Sequence, residues 1–190
     1  MTAKQVAKLM ALYLGHKDLL NTTTLDGVQT PTAEQNERLA TYLNCINDVV
    51  QMIAISYFPL KAKEFLSSEN KTFAYSSFQK PLLQIVSVKD AFLNAKVRFE
   101  TYSDFFTTNS NYVEVVYNYQ PEYAQTLASS LEVSKNFVSP RLIALGAVSR
   151  YYLFEGIHSE SLAWNNMFER AVLVSKTPKR TLCINKRSWF

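Results

Sequence analysis

The side chains here that could do chemistry are two histidines, two cysteines and two spaced pairs of carboxylates. His16 and His158 each stand beside a glycine that ends a helical pattern, with no carboxylate or Cys at ligand spacing. Neither is placed for a metal site or a nucleophile–base pair. Cys45 lies inside a helical pattern and Cys183 in the C-terminal stretch; they form no metal or redox spacing and read as isolated reduced thiols. Four glycines spread over 190 residues cannot build a phosphate-cradling loop. Glu64 with Glu69, and Asp90 with Glu100, fall in strand or turn contexts that are ordinarily solvated surface, so paired-carboxylate catalysis has no basis. The expectation is a protein that is not an enzyme and takes no metal and no cofactor.

A different chemistry, that of binding, is concentrated after Lys176. The stretch "KTPKRTLCINKRSWF" carries Lys176, Lys179, Arg180, Lys186 and Arg187 and no acidic residue. The chain's net charge is +4, so everything before this stretch sums to about −1 and the basicity belongs to the tail. Leu182 and Ile184 alternate with Thr181, Cys183 and Asn185, which suits an extended segment added to a partner's sheet edge or laid in a groove. Lys179, Arg180, Lys186 and Arg187 can pair with an acidic surface, and Trp189 and Phe190 are aromatic anchors of the kind that dominates interface energies. The same cations and aromatics could bind nucleic acid, but a dedicated binder spreads basic residues over a folded face and this body is near neutral.

The elements that must position such a tail are legible in the periodicity. At 47% hydrophobic and 19% charged the chain can bury one core or two small ones. No run approaches the roughly 18 uninterrupted apolar residues of a membrane span, and "MTAKQVAKLMALYLG", broken by Lys4 and Lys8, reads as an amphipathic helix rather than a signal peptide. Folding in the cytoplasm is the expectation. All six prolines fall where a pattern begins or ends. Gly15 and Gly156 suit left-handed helix caps, and Gly146, inside a helical run, signals close packing.

A long helix is expected from Ala33 to Tyr57: Thr32 with Gln35 fits a capping box, and Leu39, Leu43, Ile46, Val50, Ile53 and Tyr57 recur at steps of four and three. Between Leu60 and Tyr119 the period drops to two in "YVEVVYNY" and "NAKVRFETY", and "KPLLQIVSVKD" is a short β-branched run. With "LKAKEFLS" and "KTFAYSS" these predict four to six short antiparallel strands in a small sheet or sandwich. A polar, poorly patterned stretch follows from Gln120 to Val138. Helix returns at Ser139 with Pro140 first, stacking Leu142, Leu145, Val148 and Tyr152. After Gly156 a second helix, with Ser159 as N-cap, stacks Ala163, Met167 and Ala171 beside Trp164, Phe168 and Val172, both rows read as core. The fold class expected is α+β: a helical bundle (residues 1–58 and 139–175, a long helix plus a C-terminal αα-hairpin), an inserted small antiparallel β-domain with its polar connection (59–138), and an extended basic C-terminal tail (176–190).

This order of elements carries a resemblance. The long helix ending in "IAISYFPL", the insert with "LLQIVSVKD" and "YVEVVYNYQPEY", the hairpin "VSPRLIALGAVSRYYLFEGIHSESLAWNNMFERAV" and the terminal "KRTLCINKRSWF" resemble the head–tail connector (neck adaptor) proteins of tailed bacteriophages. The similarity covers most of the chain and is strongest from Ser139 to Phe190; "TTTLDGVQTPT" is a longer connection than that pattern has. The resemblance implies a structural virion protein, made in the host cytoplasm. It would dock on the portal at the capsid vertex as a ring of commonly about twelve copies and extend the DNA channel toward a downstream neck or tail protein. DNA would pass without sequence-specific binding. On that reading the portal is the partner of Lys179, Arg180, Leu182, Ile184, Lys186, Arg187, Trp189 and Phe190. Other phage rings (stopper, tail-completion or short-tail tube proteins) share the architecture.

Overall fold

The structure, a computed structural model, describes residues 1–177 and mixes helices with two small antiparallel sheets. Helix α1 (Ala3–Leu14) begins under a capping box in which the Thr2 hydroxyl accepts from the Gln5 N–H and the Gln5 side chain accepts from the Thr2 N–H. It ends at Gly15, whose φ of 72° a side chain would resist. Ala3, Val6, Ala7, Met10 and Ala11 are buried at helical spacing, so the short Ala side chains let this helix lie close to its neighbours. The short helix α2 (Lys17–Leu20) turns the chain toward α3 (Ala33–Met52), which starts under the Thr32–Gln35 capping box read from the sequence.

Helix α3 buries Leu39, Ile46 and Val50 of the expected stripe, with Ile53 beyond its end, but the buried face is wider and takes in Tyr42, Cys45 and Val49. Its last turn, Ile53–Tyr57, widens to π geometry. The Phe58 N–H donates to Ile53 O (2.8 Å), and Pro59 then removes the next donor.

Helix α4 (Pro140–Phe154) is capped by the Ser139 hydroxyl, which accepts from the Leu142 N–H (3.2 Å). Every residue from Leu142 to Ser149 is buried, because α1, α3 and the last helix, α5 (His158–Lys176), all pack around it. A helix apolar on all sides needs such a central place. Gly146 permits the approach: a Cβ there would lie 2.9 Å from Val49 Cγ1 and 3.0 Å from Phe168 Cδ2. Ser149 and Ser161 each donate a hydroxyl to the other's carbonyl (2.9 Å both ways), and Gly146 faces Phe168, so α4 and α5 run antiparallel.

The expected cap of α5 is corrected. Gly156, at φ 77°, reverses the chain, and Ile157 O takes the Ser161 N–H (3.1 Å). Helix therefore begins at His158 with no side-chain cap, and Ser159 lies inside it.

Six strands form two sheets: β1 (Leu60–Ser67), β6 (Tyr112–Tyr119) and β3 (Leu82–Asp90) in the order β1-β6-β3, and β2 (Thr72–Ala74), β5 (Phe105–Thr108) and β4 (Phe99–Thr101) in the order β2-β5-β4. Val113, Val115 and Tyr117, alternate residues of β6, point into a core with Phe73, Phe78, Val88 and Phe106. Two readings change here. The strand expected over "NAKVRFETY" contracts to Phe99–Thr101, since Asn94 adopts φ 51° in a turn closed by Asp90. The short β5 had no alternating signal, yet it supplies Phe106, which is fully buried.

The stretch after β6 is the largest departure from expectation. Residues 120–138 contain no helix or strand but lie tightly across the helical core, burying Ala124, Leu127, Leu131 and Val138. Asn47 on α3 accepts from the Ala124 N–H (2.9 Å) and donates to Ala124 O (3.0 Å), and Gln51 donates to Pro121 O (2.7 Å). At the start of α1 the N–H groups of Ala3 and Lys4, which have no partner within the helix, donate to Ser129 O and Leu127 O. Polar side chains of a core helix thus serve as hydrogen-bond clamps for a strap.

Candidate docking surfaces

The residues singled out for partner binding, Lys179, Arg180, Leu182, Ile184, Lys186, Arg187, Trp189 and Phe190, lie outside the described residues. Their root is described. Lys176 Nζ stands 4.9 Å from the ring centroid of Tyr57 and 6.0 Å from that of Phe58, a cation–π arrangement at the junction of α3 with β1. The Tyr57 hydroxyl donates to Glu169 Oε1 (2.6 Å), and that bond to a carboxylate, with burial, pushes its pKa up, so it stays a donor. Phe58 stacks on Phe137 with ring centroids 5.4 Å apart and planes 5° off parallel. The end of α5 is therefore tied to the junction of α3 with β1.

Helix α5 is two-sided in an unexpected way. Of the two rows read as core, Trp164, Phe168 and Val172 face inward: Trp164 lies 5.4 Å from the Tyr13 ring, and Phe168 packs edge-on to Tyr57. The row of Ala163, Met167 and Ala171 turns away from α4's centre, with Met167 42% exposed. Leu162 and Leu173, both 63% exposed, and Val174, 74% exposed, extend this apolar surface. Periodicity could not tell the inward row from the outward one, since both have the same spacing.

A second exposed apolar feature, unread in the sequence, is the tip between β3 and β4. Asp90 Oδ1 accepts from the N–H groups of Phe92 (2.9 Å) and Leu93 (2.8 Å), while Asp90 Oδ2 accepts from the Ser110 hydroxyl (2.6 Å). These bonds hold the Asp90 carboxyl below the usual carboxylate range. Phe92 and Leu93 are held out at 78% and 77% exposure by an ordered turn. The signal that could have found it is the run "DAFLN", an Asp two residues before a backbone N–H it can take and an Asn able to adopt positive φ.

Four of the groups that could do chemistry, His16, Cys45, Glu64 and Asp90, are engaged in structure. His16 Nδ1 lies 2.7 Å from the Tyr42 hydroxyl, with Tyr151 edge-on to both rings. Burial lowers the His16 pKa, assisted by Arg38, and burial pushes the Tyr42 hydroxyl well above its ordinary value. Burial also raises the Cys45 thiol to about 11, which leaves little nucleophilic thiolate at neutral pH. Glu64 accepts from the Tyr117 hydroxyl and from the Gln79 N–H. Among the described residues no three His, Cys, Asp or Glu side chains cluster as a metal site, and no helix is long and apolar enough to cross a membrane.

No protein-family model matches this chain, and no curated protein is significantly similar to it.

Proposed function

We propose that this chain is a structural head–tail connector of a tailed bacteriophage, in which a helical bundle with a C-terminal hairpin carries an inserted β-domain and an extended basic tail. The reading joins the sequence resemblance to one observation: Lys176, the first residue of the basic stretch, stands over Tyr57 and Phe58 where α3 meets β1. An adaptor needs a rigid body to pack beside its copies in a ring and a projecting segment to reach the next ring, and that segment is useful only if its origin is held. In this role Lys179, Arg180, Lys186 and Arg187 pair with acidic portal surface. Leu182, Ile184, Trp189 and Phe190 fill apolar sites on it. DNA passes through the ring toward a downstream neck or tail protein, and the mature location is the virion.

The test is co-sedimentation with the portal ring of the same genome, full length beside a version cut after Ser175, at low and high salt. The reading requires full-length protein to sediment in many copies and the shortened chain to stay behind. Retention of DNA in a salt-sensitive way, with no portal binding by either form, would replace it with a nucleic-acid arm.

A further inference from the structure

The outward row of α5 does not face open solvent alone. Where α5 diverges from the start of α4, the two helices leave a groove of about 460 Å³. Its floor is apolar, made by Leu142 and Leu145 of α4 and by Met167 and Val174 of α5. Arg141 and Arg170 line the same groove, both exposed, and neither takes part in an ion pair among the described residues. The first turn of α4 carries no acidic side chain, so among the described residues none there offsets the positive end of that helix.

We infer that the α4–α5 groove is a docking site for an acidic amphipathic helix of a partner protein, which lays its apolar side chains on Leu142, Leu145, Met167 and Val174 and pairs its carboxylates with Arg141 and Arg170. A shallow channel between two antiparallel helices is the shape into which a third helix packs, with side chains at i, i+3 and i+4 as anchors. Charge decides among occupants. The chain's own segment after Lys176 carries Lys179, Arg180, Lys186 and Arg187 with no Asp or Glu and would bring cations to two arginines. The exposed tip at Phe92 and Leu93, the other candidate from a second copy, is flanked by Lys89, Lys96 and Arg98 against the single carboxylate of Asp90, a net positive charge. An acidic partner satisfies both halves of the site. The inference does not depend on the connector reading, because it concerns a folded groove and its test uses no portal.

The experiment is an NMR titration of the full-length, isotopically labelled protein with two designed peptides, one with Leu on one helical face and Glu on the other, and a counterpart with Lys in place of Glu. The Glu peptide is expected to shift the amides of residues 141–145 and 167–174, with affinity falling as salt rises, while the Lys peptide leaves them unmoved. Arg141→Glu with Arg170→Glu should weaken the Glu peptide by about tenfold or more. Met167→Asp, at a partly exposed position that the fold tolerates, should weaken it as well. Equal binding of both peptides, shifts confined to other surfaces, or no shifts up to the solubility limit of the peptides would overturn the inference. So would a sedimentation profile in which the unliganded protein is a dimer that Met167→Asp dissociates, because the groove would then belong to a second copy.

Discussion

His16 illustrates how a residue type that suggests catalysis can be committed to packing. Its ring packs against Tyr42 and Tyr151, and burial is the main reason its pKa lies below its ordinary value of 6.5, with Arg38 adding to the effect while Asp18 and Glu155 oppose it. The Tyr42 hydroxyl has no other hydrogen bond among the described residues, and we assign it as donor to Nδ1, which puts the ring proton on Nε2. Protonation of the imidazole would turn Nδ1 into a donor and force that hydroxyl to reverse. Since the folded state holds the proton less tightly than the unfolded one, the stability linked to this group is complete above the unfolded pKa. It is lost as pH falls from there through the lowered folded value. The expected outcome is a drop in the urea midpoint from about pH 7.5 to about pH 5.5 that is larger in the wild type than in His16→Gln, whose amide oxygen accepts the Tyr42 hydroxyl at either pH. Equal drops in the two proteins would show that the histidine carries no such linkage.

At the scale of elements, the strap over residues 120–138 shows what a pattern of residues does and does not reveal. Asn47 holds both the N–H and the carbonyl of Ala124 from a buried position on α3. Asn47→Ala would leave two buried backbone groups without partners, at a cost of about 1–3 kcal/mol. The expected readouts are a lower melting temperature and faster hydrogen exchange at Ala124, with α4 amides changed only by the global loss of stability; an unaltered Ala124 amide would mean water replaces the clamp. Pro121, Ala124, Leu127, Leu131 and Val138 of "QPEYAQTLASSLEVSKNFV" reach the core from irregular backbone at steps of three, three, four and seven, while Tyr123 and Phe137 stay exposed, so local spacing held no record of a strap. The α3 boundaries, by contrast, were legible, since the Thr32–Gln35 box and Pro59 act through local backbone chemistry. The two rows of α5 lie between these cases. Their spacing gave the helix, but which row faces α4 depends on Gly146 opening a place for Phe168, a fact of tertiary packing. The groove with Arg141 and Arg170 was hidden for the same reason, since it exists only when two segments some thirty residues apart are side by side.

At the scale of the whole molecule, the unequal size of the two cores has a mechanical consequence. Among the described residues the helical core draws twenty-eight buried apolar residues from segments on both sides of the sheets, whereas the core between the sheets has seven. Lys80, just before β3, joins the strap over the helical core through its Nζ and Glu132 Oε1 (2.6 Å). Free energy of opening scales with the apolar surface a unit buries, so the sheets have less to lose and should open without the helices. Hydrogen exchange followed at increasing urea is therefore expected to show the amides of β2, β4 and β5 exchanging together through a partial opening, while those of α3 and α4 exchange only by complete unfolding. A single free energy and a single urea dependence for all protected amides would mean one cooperative block. The distinction bears on the tail, because its root at Lys176 rests on Tyr57 and Phe58, which close the helical core rather than the sheets. If the sheets open first, Lys176 keeps its place over Tyr57 and Phe58 while they yield.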